Sequence, residues 1–93
     1  MKLKSLILTT ALAALAGGAS AEGIKVGMIT TLSGGGAGLG IDVRDGFMLA
    51  IGQSDRSDIE VVIEDDQRKP DVAVQLADKM IQSEKVDIMT GII

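Results

Sequence analysis

"IKVGMITTLSGGGAGLG", residues 24–40, decides the fold, because a mostly apolar run passes directly into a loop with glycines at 34, 35, 36, 38 and 40. Ile24 to Ile29 shows little polar alternation, which suits a strand covered on both faces, as in a parallel sheet. Beyond the loop, Val43, Phe47, Ala50 and Ile51 recur at helical spacing, and Asp42, Arg44, Asp45 and Gln53 fill much of the remainder. The pattern predicts an amphipathic helix from Ile41 to Gly52. A strand, a glycine loop and a helix in that order open a parallel α/β unit.

The rest of the chain repeats the alternation. Gln53 to Asp58 reads as a polar turn, and Ile59 to Glu64 brings Val61, Val62 and Ile63 together in a β-branched run that predicts a second buried strand. The acidic pair Asp65 and Asp66 ends it. Pro70 then stands where a first helical residue is expected, and Asp71 complements a helix N-terminus. Ala73, Leu76, Ala77, Met80 and Ile81 form an apolar stripe, predicting a helix from Pro70 to near Glu84. Val86 to Ile93 is the third predicted strand. The fold class is therefore α/β, a β-α-β-α-β start of a parallel sheet sandwich, with right-handed crossovers restricting the topology.

Residues 1–21 have the zones of an export signal. Lys2 and Lys4 are basic, Leu6 to Ala16 is an 11-residue apolar to weakly polar run, and Ala19-Ser20-Ala21 supplies small residues for cleavage. That run is too short to span a bilayer, which takes roughly 20 residues. Cleavage after Ala21 leaves Glu22 as the N-terminus and 72 residues in the mature chain. No cysteine is available for a lipid anchor, a disulfide or a thiolate metal site, so the expected product is soluble and exported. The net charge of -4 becomes -6 without Lys2 and Lys4, a balance that repels nucleic acid and anionic lipid.

A domain this small buries only about 60% of its unfolded surface. Three parallel strands with two helices leave a face thinly covered and an apolar edge open at the last strand. The expectation is that 22–93 is the N-terminal part of a longer, truncated domain.

A glycine loop between a first strand and a helix is also where dinucleotide folds hold pyrophosphate. These glycines form G-x-G-x-x-G in no register, because the third glycine falls on Leu39, Ile41 or Val43. No G-x-x-x-x-G-K-S/T motif occurs either. Asp42 and Asp45, expected in the first turn of the helix, would repel a phosphate. In open parallel sheets ligands gather at the carboxyl ends of the strands, and the glycine loop, the Asp65-Asp66 turn and the end of the third strand all belong to that edge.

Glu64, Asp65 and Asp66 could serve as a hard-cation site or an acid/base pair, but neighbours on a strand point to opposite faces, so at most two cooperate. The competing reading is a polar strand end hydrogen-bonded to backbone at the start of the next helix. With no histidine, no cysteine and no serine elbow motif, nucleophilic catalysis has no visible parts. The chain reads as a binder, not an enzyme, with no cofactor or metal implied.

Three stretches carry a resemblance: "IKVGMITTLSG" at 24–34, "GLGIDVRDGFMLAI" at 38–51, and "IEVVIEDDQRKPDVAVQLADKMIQSEKVDIMTGI" at 59–92. They resemble the exported substrate-binding proteins of branched-chain amino acid type ABC transporters, which have the type I periplasmic binding fold. Gly27, Leu32, Ser33, Gly34, Gly40, Gly46 and Ala50 match the pattern in the first unit. Asp65, Asp66, Pro70, Leu76, Lys79, Val86 and Gly91 match it in the second. The resemblance implies the first lobe of a two-lobed, monomeric protein that closes on a small organic solute and delivers it to a membrane permease. It places that solute against Leu39, with Gly40 and Ser33 in the same loop.

Amino-acid-binding members usually carry a glycine-rich hairpin where this chain has the short turn Gly52 to Asp58, so aromatic acids, amides and urea stay open beside branched-chain amino acids. A sensory ligand-binding domain of the same fold is an alternative role. A nucleotide-binding enzyme is a weaker one.

Overall fold

Strand β1, Ile24–Thr30, is the middle of a three-stranded parallel sheet in a computed structural model that describes residues 23–93. The export signal expected over residues 1–21 lies outside the described residues. Helix α1 follows at Ala37–Gln53, then strand β2 at Ile59–Asp65, helix α2 at Pro70–Gln82 and strand β3 at Ile88–Gly91. The strand order is β2-β1-β3, with Ile24 opposite Ile59 and Val26 opposite Ile88. The β-α-β-α-β alternation and the parallel sheet agree with the sequence reading.

This order sends the two crossovers in opposite directions from the centre. Right-handed crossovers then put α1 and α2 on opposite faces of the sheet. Alternation along β1 shows which residues meet each helix. On one face the Thr30 hydroxyl donates to the carbonyl of Gly40 in α1 at 3.2 Å. On the other, a Cβ at Gly27 would stand 2.7 Å from the Met80 sulfur of α2 and 3.2 Å from Val86. Glycine at 27 therefore lets Met80 lie directly on the strand. Val26, Met28, Ile29 and Met80 are the buried apolar residues, so the core is centred on β1.

Helix α1 begins four residues before the expected Ile41. Gly34 (φ 71°) and Gly36 (φ 89°) take left-handed conformations that favour glycine, and the Ala37 amide donates to the Gly34 carbonyl at 3.2 Å, so the chain is already winding at Ala37. Gly38, Leu39 and Gly40 are helical, not loop. Asp42 and Asp45 consequently lie beyond the first turn, which holds no acidic residue, and the expectation that they occupy the positive end of the helix is corrected. The two-sided pattern is also weaker than expected. Val43, Phe47 and Ile51 are half-buried, but Ala50 is exposed together with Met48 and Leu49.

Helix α2 starts at Pro70 as expected, with Asp71 in its first turn and Lys79 in its last, each complementing the helix dipole. It ends at Gln82, and the amides of Ser83 and Glu84 both donate to the Lys79 carbonyl, at 2.8 and 3.1 Å. β3 is four residues long, not the eight of Val86 to Ile93. It stops at Gly91, whose φ of 116° departs from strand geometry and whose missing Cβ would collide with the Ile29 carbonyl.

Candidate functional site

All three strands point their carboxyl ends at the same edge of the sheet. Because β1 sends its first crossover toward β2 while β3 arrives on its other side, the connections diverge between β1 and β3. Such a switch point is where open α/β sheets leave a crevice for ligands.

Two carboxylates at the end of β2 fix the shape of this edge. Asp65 accepts hydrogen bonds from the Leu32 amide (2.8 Å), the Ser33 hydroxyl (2.5 Å) and the Gln67 amide (2.8 Å). These contacts, the Ser33 hydroxyl first and then the Leu32 and Gln67 amides, hold the Asp65 carboxyl below its ordinary pKa. Asp66, only 4% exposed, accepts from the buried Thr31 hydroxyl at 2.7 Å and from the Arg68 amide at 2.8 Å. Glu64 turns elsewhere and takes the Lys79 ammonium at 2.7 Å. The three carboxylates thus do not act as one cluster: Asp65 and Asp66 tie the first loop to the turn after β2, and Glu64 pairs with α2. No cluster among the described residues could hold a metal ion. The reading as a polar strand end is the one the geometry supports, except that the partners lie in the turn at Gln67 and Arg68 and in the first loop.

Gly40 is buried and belongs to the same junction. A Cβ there would fall on the carbonyl group of Thr31, 2.6 Å from its carbon, with the Thr31 nitrogen at 2.9 Å. Glycine is what lets α1 come down against the end of β1. The role visible for Gly40 is close packing, and Ser33 is an exposed hydroxyl already committed to Asp65.

Leu39 is the third residue that the resemblance singles out, and it does not pack into the core. Its side chain is 61% exposed in the first turn of α1. With Thr31, Gly36, Arg68 and Ile93 it lines a notch of about 140 Å³, so segments following all three strands converge there. Leu39 and Gly40 are neighbours at this edge, while Ser33 is on the loop before α1 and does not line the notch. A wider apolar groove of about 560 Å³ adjoins it, running along α2 past Pro70, Ala73, Val74 and Ala77 and sharing Arg68 and Ile93 with the notch.

Arg68 is the residue that sequence reasoning passed over. It stands in a left-handed conformation (φ 58°) next to Gln67 (φ 54°), a pair of bends held by hydrogen bonds that the Gln67 and Arg68 amides donate to the Asp65 and Asp66 carboxylates. Its guanidinium lies over the glycine loop, with Nη1 3.5 Å from where a Cβ of Gly36 would be. No motif marks it. The signal that could have found it is positional: it follows the end of β2 by three residues, which in a parallel sheet means the ligand edge.

A family model described as periplasmic binding protein matches residues 23–93. No curated protein and no solved structure matches the chain. Among the described residues no helix is long and apolar enough to cross a membrane.

Proposed function

Because the chain belongs to the periplasmic binding protein family, we propose that it is the exported solute-binding component of an ABC importer, capturing a small organic solute and handing it to a membrane permease. The solute classes in view are branched-chain amino acids, aromatic acids and amides. The observation that carries this reading is the notch at the switch point, where a leucine is held out of the core by a helix that glycine allows to sit close. Its volume of about 140 Å³ is below the roughly 300–1,000 Å³ that encloses a drug-sized ligand. The notch is therefore suited to one end of a small solute, with the rest presented outward to a facing lobe. Leu39, seated between Gly38 and Gly40, supplies the apolar wall, and Gly40 and Ser33 keep the loop in place beneath it.

Isothermal titration of the exported protein against these solute classes tests the proposal, with Leu39→Ala as the paired variant. One class should bind. The variant should weaken that binding by about 1–3 kcal/mol, the transfer value of a leucine side chain. Its melting temperature should stay where it was, because an exposed leucine leaves no cavity. A core leucine would instead lose about 2–5 kcal/mol of folding stability on truncation. Unchanged affinity for every bound solute would remove Leu39 from the site.

A further inference from the structure

Arg68 is charged, stands at the notch, and has no ion-pair partner among the described residues. Lys25, Arg44, Arg56 and Lys79 each have a carboxylate within 4 Å, at Glu60, Asp45, Asp58 and Glu64, and of the remaining described cations, Arg68, Lys69 and Lys85, Arg68 is the one that lines the notch. The two carboxylates nearest to Arg68 in sequence are both occupied by other donors. Asp66 meets its backbone amide and the Thr31 hydroxyl, and Asp65 meets Leu32, Ser33 and Gln67. The same bonds hold the main chain at residue 68 in a conformation that a side chain of this size rarely adopts. The guanidinium thereby lies over Gly35 and Gly36, where no side chain intervenes, and Arg68 is exposed.

Three chemistries meet around that guanidinium. Leu39 and Ile93 are exposed apolar walls of the notch, the buried polar residue Thr31 also lines it, and Arg68 lines both the notch and the groove along α2. The first turn of α1, which begins at the notch, contains no acidic side chain to oppose an anion. A guanidinium fork matches a carboxylate in a bidentate geometry that an ammonium cannot reproduce.

We propose that Arg68 is a specificity-determining residue of this cleft, and that the solute carries a carboxylate which seats on the guanidinium while its apolar body lies against Leu39 and Ile93. This assignment rests on the solute-binding reading above. It narrows that reading from small organic solutes in general to organic anions with an apolar body, and disfavours neutral amides and urea.

The experiment uses the exported protein and a paired panel of aliphatic and aromatic carboxylates with their primary amides, read by titration calorimetry. The parent protein should bind at least one carboxylate about tenfold or more tighter than its amide. Arg68→Gln should weaken the carboxylate by about ten- to a hundredfold, the range of a hydrogen bond to a charged group, and leave the amide within about twofold. Arg68→Lys should recover only part of the loss, since it keeps the charge without the fork. Leu39→Ala, in contrast, should weaken carboxylate and amide alike. Unchanged melting temperatures would show that the variants fold. If the parent binds a solute and Arg68→Gln binds it equally well, the assignment to Arg68 fails while solute binding stands. If the parent binds no member of the panel in either form, the solute-binding reading and the role of Arg68 fail together.

Discussion

Two glycines in the first turn of α1 should respond to the same substitution with opposite signs. At Gly38 an added Cβ meets nothing within 4 Å, and replacement by alanine in a helix raises stability by about 0.5–1 kcal/mol through reduced chain entropy. At Gly40 the same gain is available, but the Cβ would stand 2.6 Å from the Thr31 carbonyl carbon and 2.9 Å from the Thr31 nitrogen. Unstrained carbon contacts lie at about 3.5–4.0 Å, so clearing the Thr31 carbon and, closer still, its carbonyl oxygen would make α1 withdraw by more than about 1 Å. The obstacle is backbone in the buried end of β1, and no rotamer change relieves it. Retreat of the helix would also stretch the bond from the Thr30 hydroxyl to the Gly40 carbonyl, already 3.2 Å long. Overpacking of this kind costs about 1–3 kcal/mol or more. The net expectation is therefore a loss of up to about 2.5 kcal/mol for Gly40→Ala after the helix gain is deducted.

Urea unfolding of both variants beside the parent protein measures the difference, provided the slopes agree. Solute titration of Gly40→Ala should show weaker binding as well, because Leu39 moves with the helix. If Gly40→Ala proved as stabilising as Gly38→Ala, the close approach of α1 to Thr31 would be refuted, and with it the reason Leu39 is held at the notch.

Two further outcomes follow from the carboxylates at the end of β2. Asp65 should titrate, by NMR, below the ordinary aspartate value of about 3.9, and Ser33→Ala should move it back upward. Since its folded pKa is the lower one, its stabilisation is present above the unfolded value and is lost as pH falls through the folded value; an ordinary midpoint would contradict the three hydrogen bonds drawn to it. Asp66→Ala should destabilise by about 1–3 kcal/mol in thermal or urea unfolding, since it leaves the buried Thr31 hydroxyl and the Arg68 amide without their acceptor. A variant as stable as the parent would show that water replaces the carboxylate there.

The strands were legible because periodicity and β-branching speak for themselves. β1 and β2 each run only one residue past expectation, to Thr30 and Asp65, and Pro70 marked the start of α2 without error. The start of α1 was not legible. Gly38 and Gly40 carry the local propensity of a loop, and the close approach of Gly40 to Thr31, which seats this turn against β1, is not displayed by sequence. The same blindness put Asp42 and Asp45 at a helix terminus they do not occupy. β3 was overextended because Ile92 and Ile93 have strand composition, whereas the positive φ of Gly91 ends the ladder before them. At the site, Leu39 could be named through resemblance. Arg68 could not, because its importance comes from which carboxylates are already taken, a fact of geometry and not of spacing.

The place of β1 at the centre of the sheet has a consequence in time. It is the first of the strands to be synthesised and the first to leave an export channel, yet its pairing partners come much later in the chain. Thirty-five residues separate Ile24 from Ile59, and sixty-two separate Val26 from Ile88. An emerging chain therefore carries its most apolar strand unpaired on both edges until the first crossover delivers β2, and on one edge until the second delivers β3, and contacts of such sequence separation form slowly. That delay leaves the leading segment without its strand partners while the rest of the chain arrives. It also makes the interval between the arrival of β1 and the docking of β3 the period when association with other chains competes with folding.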